Sequence, residues 1–436
     1  MRVGGVVRER LEAKTILVVD DEDGVRESVR EILSDEGYRV LEASTGTVVP
    51  DLIRSERPRL VLLDIWMPEM DGIGLLREIK KLDPDTNVVM ISGHGNIHTA
   101  VTATKYGAFD FIEKPLSLDG LLLTVRRALG ESPTIAEKGP RAKTGKTKRR
   151  SSRAAATEVH VPALQRTLKK SVVISGHGLH SGIKTGLILH PLPPNSGILF
   201  SGISADATVP AHLDHVGSTG YATSLYGKGI VVGTVEHFLA VLHSYRISNL
   251  LVKVQGEIPI LDGSALEFCH LIEEAGIQEQ DKEWSEIALD RSYRLEIKGG
   301  ESISAEPADV FSVRYMLNYP KPVGEQEYTY VFQGQESFKK EIAPARTFGF
   351  LRDIEKLEKL GLVNGGRLSN CILLDDEKVI NTELRFPDEF ARHKILDIVG
   401  DFYLFGRPVR CMVTARMTGH SDNIALLKEI KKGMRL

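Results

Sequence analysis

The first part of the sequence predicts an α/β fold, a doubly wound parallel sheet, and three observations carry that prediction. Four short apolar runs, Thr15 to Val19, Leu60 to Leu63, Val88 to Ile91 and Phe109 to Ile112, read as strands buried on both faces. Helical stretches separate the runs, the alternation expected of parallel crossover units. Polar residues gather just beyond the runs: Asp20 and Asp21 after the first, Asp64 after the second, Ser92 after the third and Lys114 after the fourth. Ligands of such sheets collect outside the carboxyl ends of the strands, so these five residues predict one crevice.

The charges of that crevice dictate its chemistry. Asp20, Asp21 and Asp64 repel one another unless a hard divalent cation such as magnesium holds them together. An aspartate beside that cation can act as nucleophile toward a phosphoryl group. Lys114 then neutralises phosphate oxygens and Ser92 bonds one of them. The plainer alternative is a doubly wound domain with scattered acids, and five polar residues at four strand ends argue against it. Between the first two runs, Pro50 falls within the expected second helix near Thr47-Val48-Val49. Proline is tolerated only in a first turn, so that helix is expected to start late.

Four motifs carry a resemblance: Val18-Val19-Asp20-Asp21-Glu22, Leu63-Asp64-Ile65-Trp66-Met67-Pro68-Glu69-Met70-Asp71-Gly72, Ile91-Ser92-Gly93-His94-Gly95-Asn96 and Glu113-Lys114-Pro115. Across residues 14 to 130 the chain resembles the flavodoxin-like receiver domain of two-component response regulators. The third motif is nearest to receivers of the nitrogen-regulation type. The resemblance implies that Asp64 is the phosphoacceptor, that Asp20, Asp21 and Asp64 hold magnesium, and that a sensor histidine kinase is the partner. It places Ser92, Lys114 and the aromatic Phe111 among the switch residues, although a buried phenylalanine is the bland reading of Phe111. It also implies a cis bond between Lys114 and Pro115.

After this domain, 1–130, the stretch 131–162 reads as a flexible linker, rich in Lys, Arg, Ser, Ala and Gly and poor in large apolar residues. Arg141, Lys143, Lys146, Lys148, Arg149, Arg150 and Arg153 lie in a run without acids that can touch acidic membrane lipid or RNA, though a solvated tether is the favoured account.

The remainder, 163–436, contains two separated segments whose residue types suit an open zinc site: Thr234-Val235-Glu236-His237 and His393-Lys394-Ile395-Leu396-Asp397. A catalytic zinc takes three protein donors and leaves a position for water, and His237, His393 and Asp397 supply the three. Asp397 follows His393 by four residues in an amphipathic run, Arg392 to Phe405, so both leave one face of a helix. Glu236, beside His237, is free to take a proton from the water, whose pKa zinc brings to about 7. His420 can give a proton to a leaving amine. Each piece has a bland counterpart. A His and an Asp four apart are more often a surface pair, His243 is a decoy turned off the face of His237, and the His-Glu-x-x-His motif is absent.

Six ordered stretches change that balance: Ser175 to Gly182, Thr234 to His237, Glu257 to Ala265, Ala345 to Phe350, Arg392 through Asp401, and Gly419-His420. Over 163 to 433 they resemble the zinc-dependent UDP-3-O-acyl-N-acetylglucosamine deacetylase of lipid A biosynthesis, an α+β fold of two similar layered subdomains. The resemblance implies that His237, His393 and Asp397 bind zinc and that Glu236 activates water. It gives Thr347 the oxyanion, His420 the leaving nitrogen and Asp401 the role of carboxylate partner to His420. It marks Lys394 and His180 as binding residues for a UDP-linked acylated amino sugar. Ser421-Asp422 after Gly-His departs from the family's small apolar residues, and an inward carboxylate there would raise the pKa of His420. Apolar residues are sparse from Arg294 to Phe311, so no acyl channel is assignable there.

Composition fits two folded units, since 436 residues at 42% hydrophobic can bury more than one core. The net charge of -3 predicts no general attraction to nucleic acid. Cys269, Cys371 and Cys411 lack metal or redox spacing and suit a reducing cytoplasm, and no apolar stretch marks a membrane span or signal core. The expected protein is a cytoplasmic fusion of a phosphoacceptor domain with a deacetylase. The rival is a signalling or binding protein whose deacetylase-like half no longer turns over.

Overall fold

The structure, a computed structural model, describes residues 14–131 and 163–434, apart from 68–69, 93–101, 104, 115, 117, 205–206 and 298. The chain separates into two units, Met1–Val159 and His160–Leu436. The basic stretch from Lys138 to Arg153 lies outside the described residues, as does the Lys114–Pro115 bond expected to be cis.

In the first unit, five strands form one parallel sheet in the order Arg39–Ala43, Thr15–Val19, Leu60–Asp64, Asn87–Ser92, Asp110–Glu113. Leu60–Asp64 is central and buried along its whole length, as a run without polar alternation requires. The sequence reading missed Arg39–Ala43. As an edge strand it exposes Arg39 and Glu42, so its apolar residues never form a continuous run. The last strand begins one residue later than expected, leaving Phe109 39% exposed before it. Pro50 falls in the first turn of the helix Val49–Glu56, where a missing N–H costs no helical hydrogen bond. A turn of 3-10 helix, Gly46–Val48, leads into it.

The second unit contains two mixed sheets. The first runs Thr208–Pro210, Ile198–Ser201, Leu250–Val254, Lys184–Pro191, Val172–His177, and the second Tyr293–Glu296, Ser302–Pro307, Val409–Arg416, Ser312–Asn318, Glu325–Val331. Their apolar faces and the intervening helices share one core. Helix Glu236–Ser244 is buried at all nine positions. Helix Glu389–Phe402 packs on it and on the strands Ser312–Asn318 and Glu325–Val331. This second helix corrects the sequence reading. It spans Glu389–Phe402, with a 3-10 turn Tyr403–Phe405 behind it, and twelve of its residues are buried. Its polar residues find partners inside the protein, His393, Lys394 and Asp397 at the site and Glu389 at Arg346, which gave a sequence pattern resembling amphipathicity without a broad solvent face.

The two helices touch backbone to backbone because residue 400 is glycine. A Cβ there would lie 2.0 Å from the carbonyl oxygen of Glu236. Gly400→Ala is therefore expected to lower unfolding stability by about 1–3 kcal/mol, read as a fall in melting temperature.

Where apolar residues are sparse, strands Tyr293–Glu296 and Ser302–Pro307 form an antiparallel hairpin of the second sheet. A wall over the site comes instead from strand Phe348–Phe350 and helix Leu351–Lys359, the start of a crossover to the parallel strand Ile372–Leu374. All three cysteines are free and buried.

Candidate active site

The turn before the first helix puts Glu236 and His237 at its start. Thr234 takes φ 58°, and Val235 N–H donates to Thr223 O at 3.2 Å. From the long helix, His393 and Asp397 project one turn apart toward His237. Asp397 Oδ1 lies 3.6 Å from His237 Nε2 and 3.7 Å from His393 Nε2. Donor atoms of the three residues lie within 4.8 Å of one another. The spacing places them around one point without direct hydrogen bonds.

Three features fit a cation there. Asp397 Oδ1 is buried with no hydrogen-bond partner. His393 Nδ1 lies 3.1 Å from Ala345 O, so its N–H donates there and leaves the Nε2 lone pair toward the site. Burial holds the His393 imidazole neutral, its pKa pushed down to about 3, as ligation requires. Against the cost of burial, Lys394, His393 and His420 keep the Asp397 carboxyl well below its ordinary range. Two histidines and a carboxylate form a donor set typical of catalytic zinc.

Across from the donors, burial raises the pKa of the Glu236 carboxyl. His420 Nε2 lies 3.7 Å from Glu236 Oε1 and 3.9 Å from Asp397 Oδ2. His420 Nδ1 lies 2.9 Å from Asp401 Oδ2, which also accepts from Asn423 Nδ2 at 2.8 Å. Burial opposes charging of His420, but Asp401, Glu236 and Asp397 together raise it to about 10. Asp422 plays no part in this. Its carboxylate accepts from the N–H of Gly419 at 2.9 Å and closes the start of the C-terminal helix instead of turning inward.

Glu236, His237, His393, Asp397 and His420 line one cavity of about 580 Å³, together with Thr347, Lys394 and His180. Leu179, Ile260, Phe348, Phe350 and Leu357 give it apolar walls. Lys394 Nζ donates to Asp397 Oδ2 at 3.1 Å, and despite burial that carboxylate and nearby tyrosines raise its pKa. Both ring nitrogens of His180 are buried without a partner. His243 is elsewhere, packed edge-on to Phe311 and Tyr403, and burial lowers it to about 3.

Several residues of the site had no role in the sequence reading. Glu257 accepts from the N–H groups of His180 and Ser181, each at 2.9 Å, and from Thr234 Oγ1 at 2.8 Å. Arg346 donates to Glu389 from Nε at 2.9 Å and Nη2 at 3.2 Å, fastening the segment of Thr347 to the long helix. Glu257 and Arg346 lie inside quoted stretches, so a buried charge needing a partner was a usable signal. Thr223 lies in none.

In the first unit, oxygens of Asp20, Asp21 and Asp64 lie within 4.8 Å of one another. Asp20 and Asp64 are buried and Asp21 is exposed. Lys114 Nζ reaches Asp20 Oδ2 and Asp64 Oδ2 at 2.8 Å and Glu22 Oε1 at 2.9 Å. Burial raises the Asp20 carboxyl even against its bond from Lys114. Three carboxylates converging this closely fit a hard divalent cation. Ser92 is buried at the end of its strand, and Phe111 is half-buried against the core. Gly72 lets the next helix start against the Asp64 carbonyl, which a Cβ would approach to 2.4 Å.

Among the described residues no helix is long and apolar enough to cross a membrane. The signature of the UDP-3-O-acyl N-acetylglycosamine deacetylase family matches residues 165–432, and that of the response regulator receiver domain matches 16–126. A UDP-3-O-acyl-N-acetylglucosamine deacetylase of Myxococcus xanthus is 43% identical over 270 residues, 61% of this chain and 86% of that protein. Its counterpart from Chlamydia pneumoniae is 42% identical over 279 residues, 62% of this chain and 98% of that protein. The crystal structure of the receiver domain of NtrX from Brucella abortus is 53% identical, covering 27% of this chain and 99% of that chain with a TM-score of 0.26. The larger signature spans more than half of the sequence and encloses every residue of the cavity, so the chain belongs to the UDP-3-O-acyl N-acetylglycosamine deacetylase family and carries a response-regulator receiver domain ahead of that region.

Proposed function

We propose that the chain hydrolyses the acetamide of a UDP-linked, 3-O-acylated N-acetylglucosamine, a step of lipid A biosynthesis, with zinc as its metal. The observation that carries this is the meeting of His237, His393 and Asp397 in one cavity with a buried carboxylate, Glu236, and a buried imidazole, His420. Zinc held by the three donors supplies Lewis acidity toward the acetamide carbonyl and acidifies water.

Glu236 takes the proton as water attacks the carbonyl carbon, and its buried, raised carboxyl is suited to hold that proton. The Thr347 hydroxyl donates to the oxyanion that forms. As the C–N bond breaks, His420 gives its Nε2 proton to the leaving nitrogen, while Asp401 fixes the ring through Nδ1. The products are acetate and a free amino sugar. Lys394 and His180 supply polar contacts to the substrate, and the apolar wall from the segment Phe348 to Leu357 suits an acyl chain.

In the receiver, Asp64 accepts a phosphoryl group from a sensor histidine kinase with magnesium on Asp20, Asp21 and Asp64, and the phosphorylated state regulates deacetylation. Lys114 then transfers its bonds from carboxylates to phosphate oxygens, and Ser92 and Phe111 follow.

Acetate release from the acylated UDP-sugar tests the enzyme reading. Turnover is expected to vanish on removal of metal by a chelator and to return with added zinc. Equal rates before and after complete metal removal would end it.

A further inference from the structure

Thr223 lies between the strands Val216–Ser218 and Ser224–Gly227, and its side chain is fully buried. Its backbone N–H donates to Glu236 Oε2 at 3.0 Å, and its hydroxyl donates to Asp401 Oδ1 at 2.7 Å. Its carbonyl accepts the N–H of Val235, the residue before Glu236. One residue therefore touches the carboxylate of the base and the carboxylate behind the acid.

The two contacts resolve an orientational freedom that the rest of the site leaves open. A carboxylate can turn about its last bond, and an imidazole partner engages only one of its oxygens. At Asp401, His420 and Asn423 both bond Oδ2, and Thr223 holds Oδ1. That second attachment sets the plane from which Oδ2 meets Nδ1, and hence the direction in which Nε2 faces the cavity. At Glu236, the Thr223 N–H occupies Oε2, leaving Oε1 toward His420 Nε2 at 3.7 Å. The same loop is tied to the helix that carries His420, because Ser421 Oγ donates to Thr219 O at 2.9 Å. Gly220 and Tyr221 between these ties line the cavity.

From this geometry we infer that Thr223 is a positioning residue that sets the proton-donating and proton-accepting groups relative to each other. The inference rests on the proposed roles of Glu236 and His420. A hydroxyl on a fully buried β-branched side chain can be removed with little change of shape, so Thr223→Val is the informative variant and Thr223→Ser the conservative one.

Both are assayed as the full-length, zinc-loaded protein by acetate release, with zinc content and melting temperature measured on the same samples. Thr223→Val is expected to lose about 10–100-fold in kcat with little change in KM, the scale of a misplaced reacting group. Thr223→Ser should stay within about threefold of the parent, and both should keep zinc and fold. If valine prevents folding, Thr223→Ala removes the same hydroxyl without the added methyl and carries the comparison. Unchanged kcat in the hydroxyl-less variant, an equal loss in the serine variant, or loss of zinc alongside activity would each overturn the inference. Glu236→Ala, measured in parallel, separates the two levels. Full turnover there sinks the proposed chemistry, whereas an inactive Glu236→Ala beside a normal Thr223→Val sinks only the role of Thr223.

Discussion

Glu236→Ala should reduce kcat by about 10²–10⁴-fold while zinc stays bound, the span typical of a lost general base. His237→Ala and Asp397→Ala should lose activity and metal together. The contrast follows from geometry. Asp397 Oδ1 lies near the Nε2 atoms of both histidines and has no other partner, whereas Glu236 has one oxygen tied to Thr223 and the other facing His420. Deleting a donor leaves a site with two ligands, too few for a tight zinc complex. Deleting the base leaves all three donors in place. Metal analysis of the purified variants beside single-turnover acetate release distinguishes the outcomes. Equal zinc loss in all three variants would assign Glu236 to the metal and leave the reaction without its base.

The second large effect lies in the receiver. Asp64→Ala should abolish phosphorylation by a small-molecule phosphoryl donor in the presence of magnesium, since Asp64 is the buried carboxylate at the end of the central strand. The product in the parent protein should be an acyl phosphate, labile to base and to hydroxylamine. Asp21→Ala should weaken magnesium binding before it affects the nucleophile, because Asp21 is the exposed member of the three. Stable labelling of Asp64→Ala at a hydroxyl would refute the assignment. Comparing acetate release with and without a phosphoryl mimic at Asp64 then measures regulation. A coupling of about 1–3 kcal/mol would change a binding equilibrium by about 5–150-fold, while the effect on turnover need not match it. Identical constants in both states would leave the receiver without a regulatory role.

Much of this was legible because it is local. Continuous apolar runs declared the buried strands, and acids at their ends declared the receiver crevice. The four-residue spacing of His393 and Asp397 placed both on one helical face, as observed. Where a segment is not buried on two faces the same signal fades, and so the edge strand Arg39–Ala43 passed unnoticed. The helix Glu389–Phe402 misled in the opposite sense. Its charged residues suggested a surface, yet Glu389 is buried against Arg346, and Asp397 against Lys394 and two histidines.

The sequence alone therefore determined the two fold classes, the donor types and the chemistry those donors permit. Residue type sets what an atom can donate, accept or ligate, and periodicity sets which neighbours share a face. Only the tertiary structure decided which distant groups meet. Gly400 brings the two helices close enough for His237 to face Asp397, the segment Phe348 to Leu357 walls the cavity, and Thr223 reaches the carboxylates of both Glu236 and Asp401. Those contacts join segments far apart along the chain through packing and single hydrogen bonds. Neither leaves a periodic trace in sequence, because each depends on where the rest of the chain has folded.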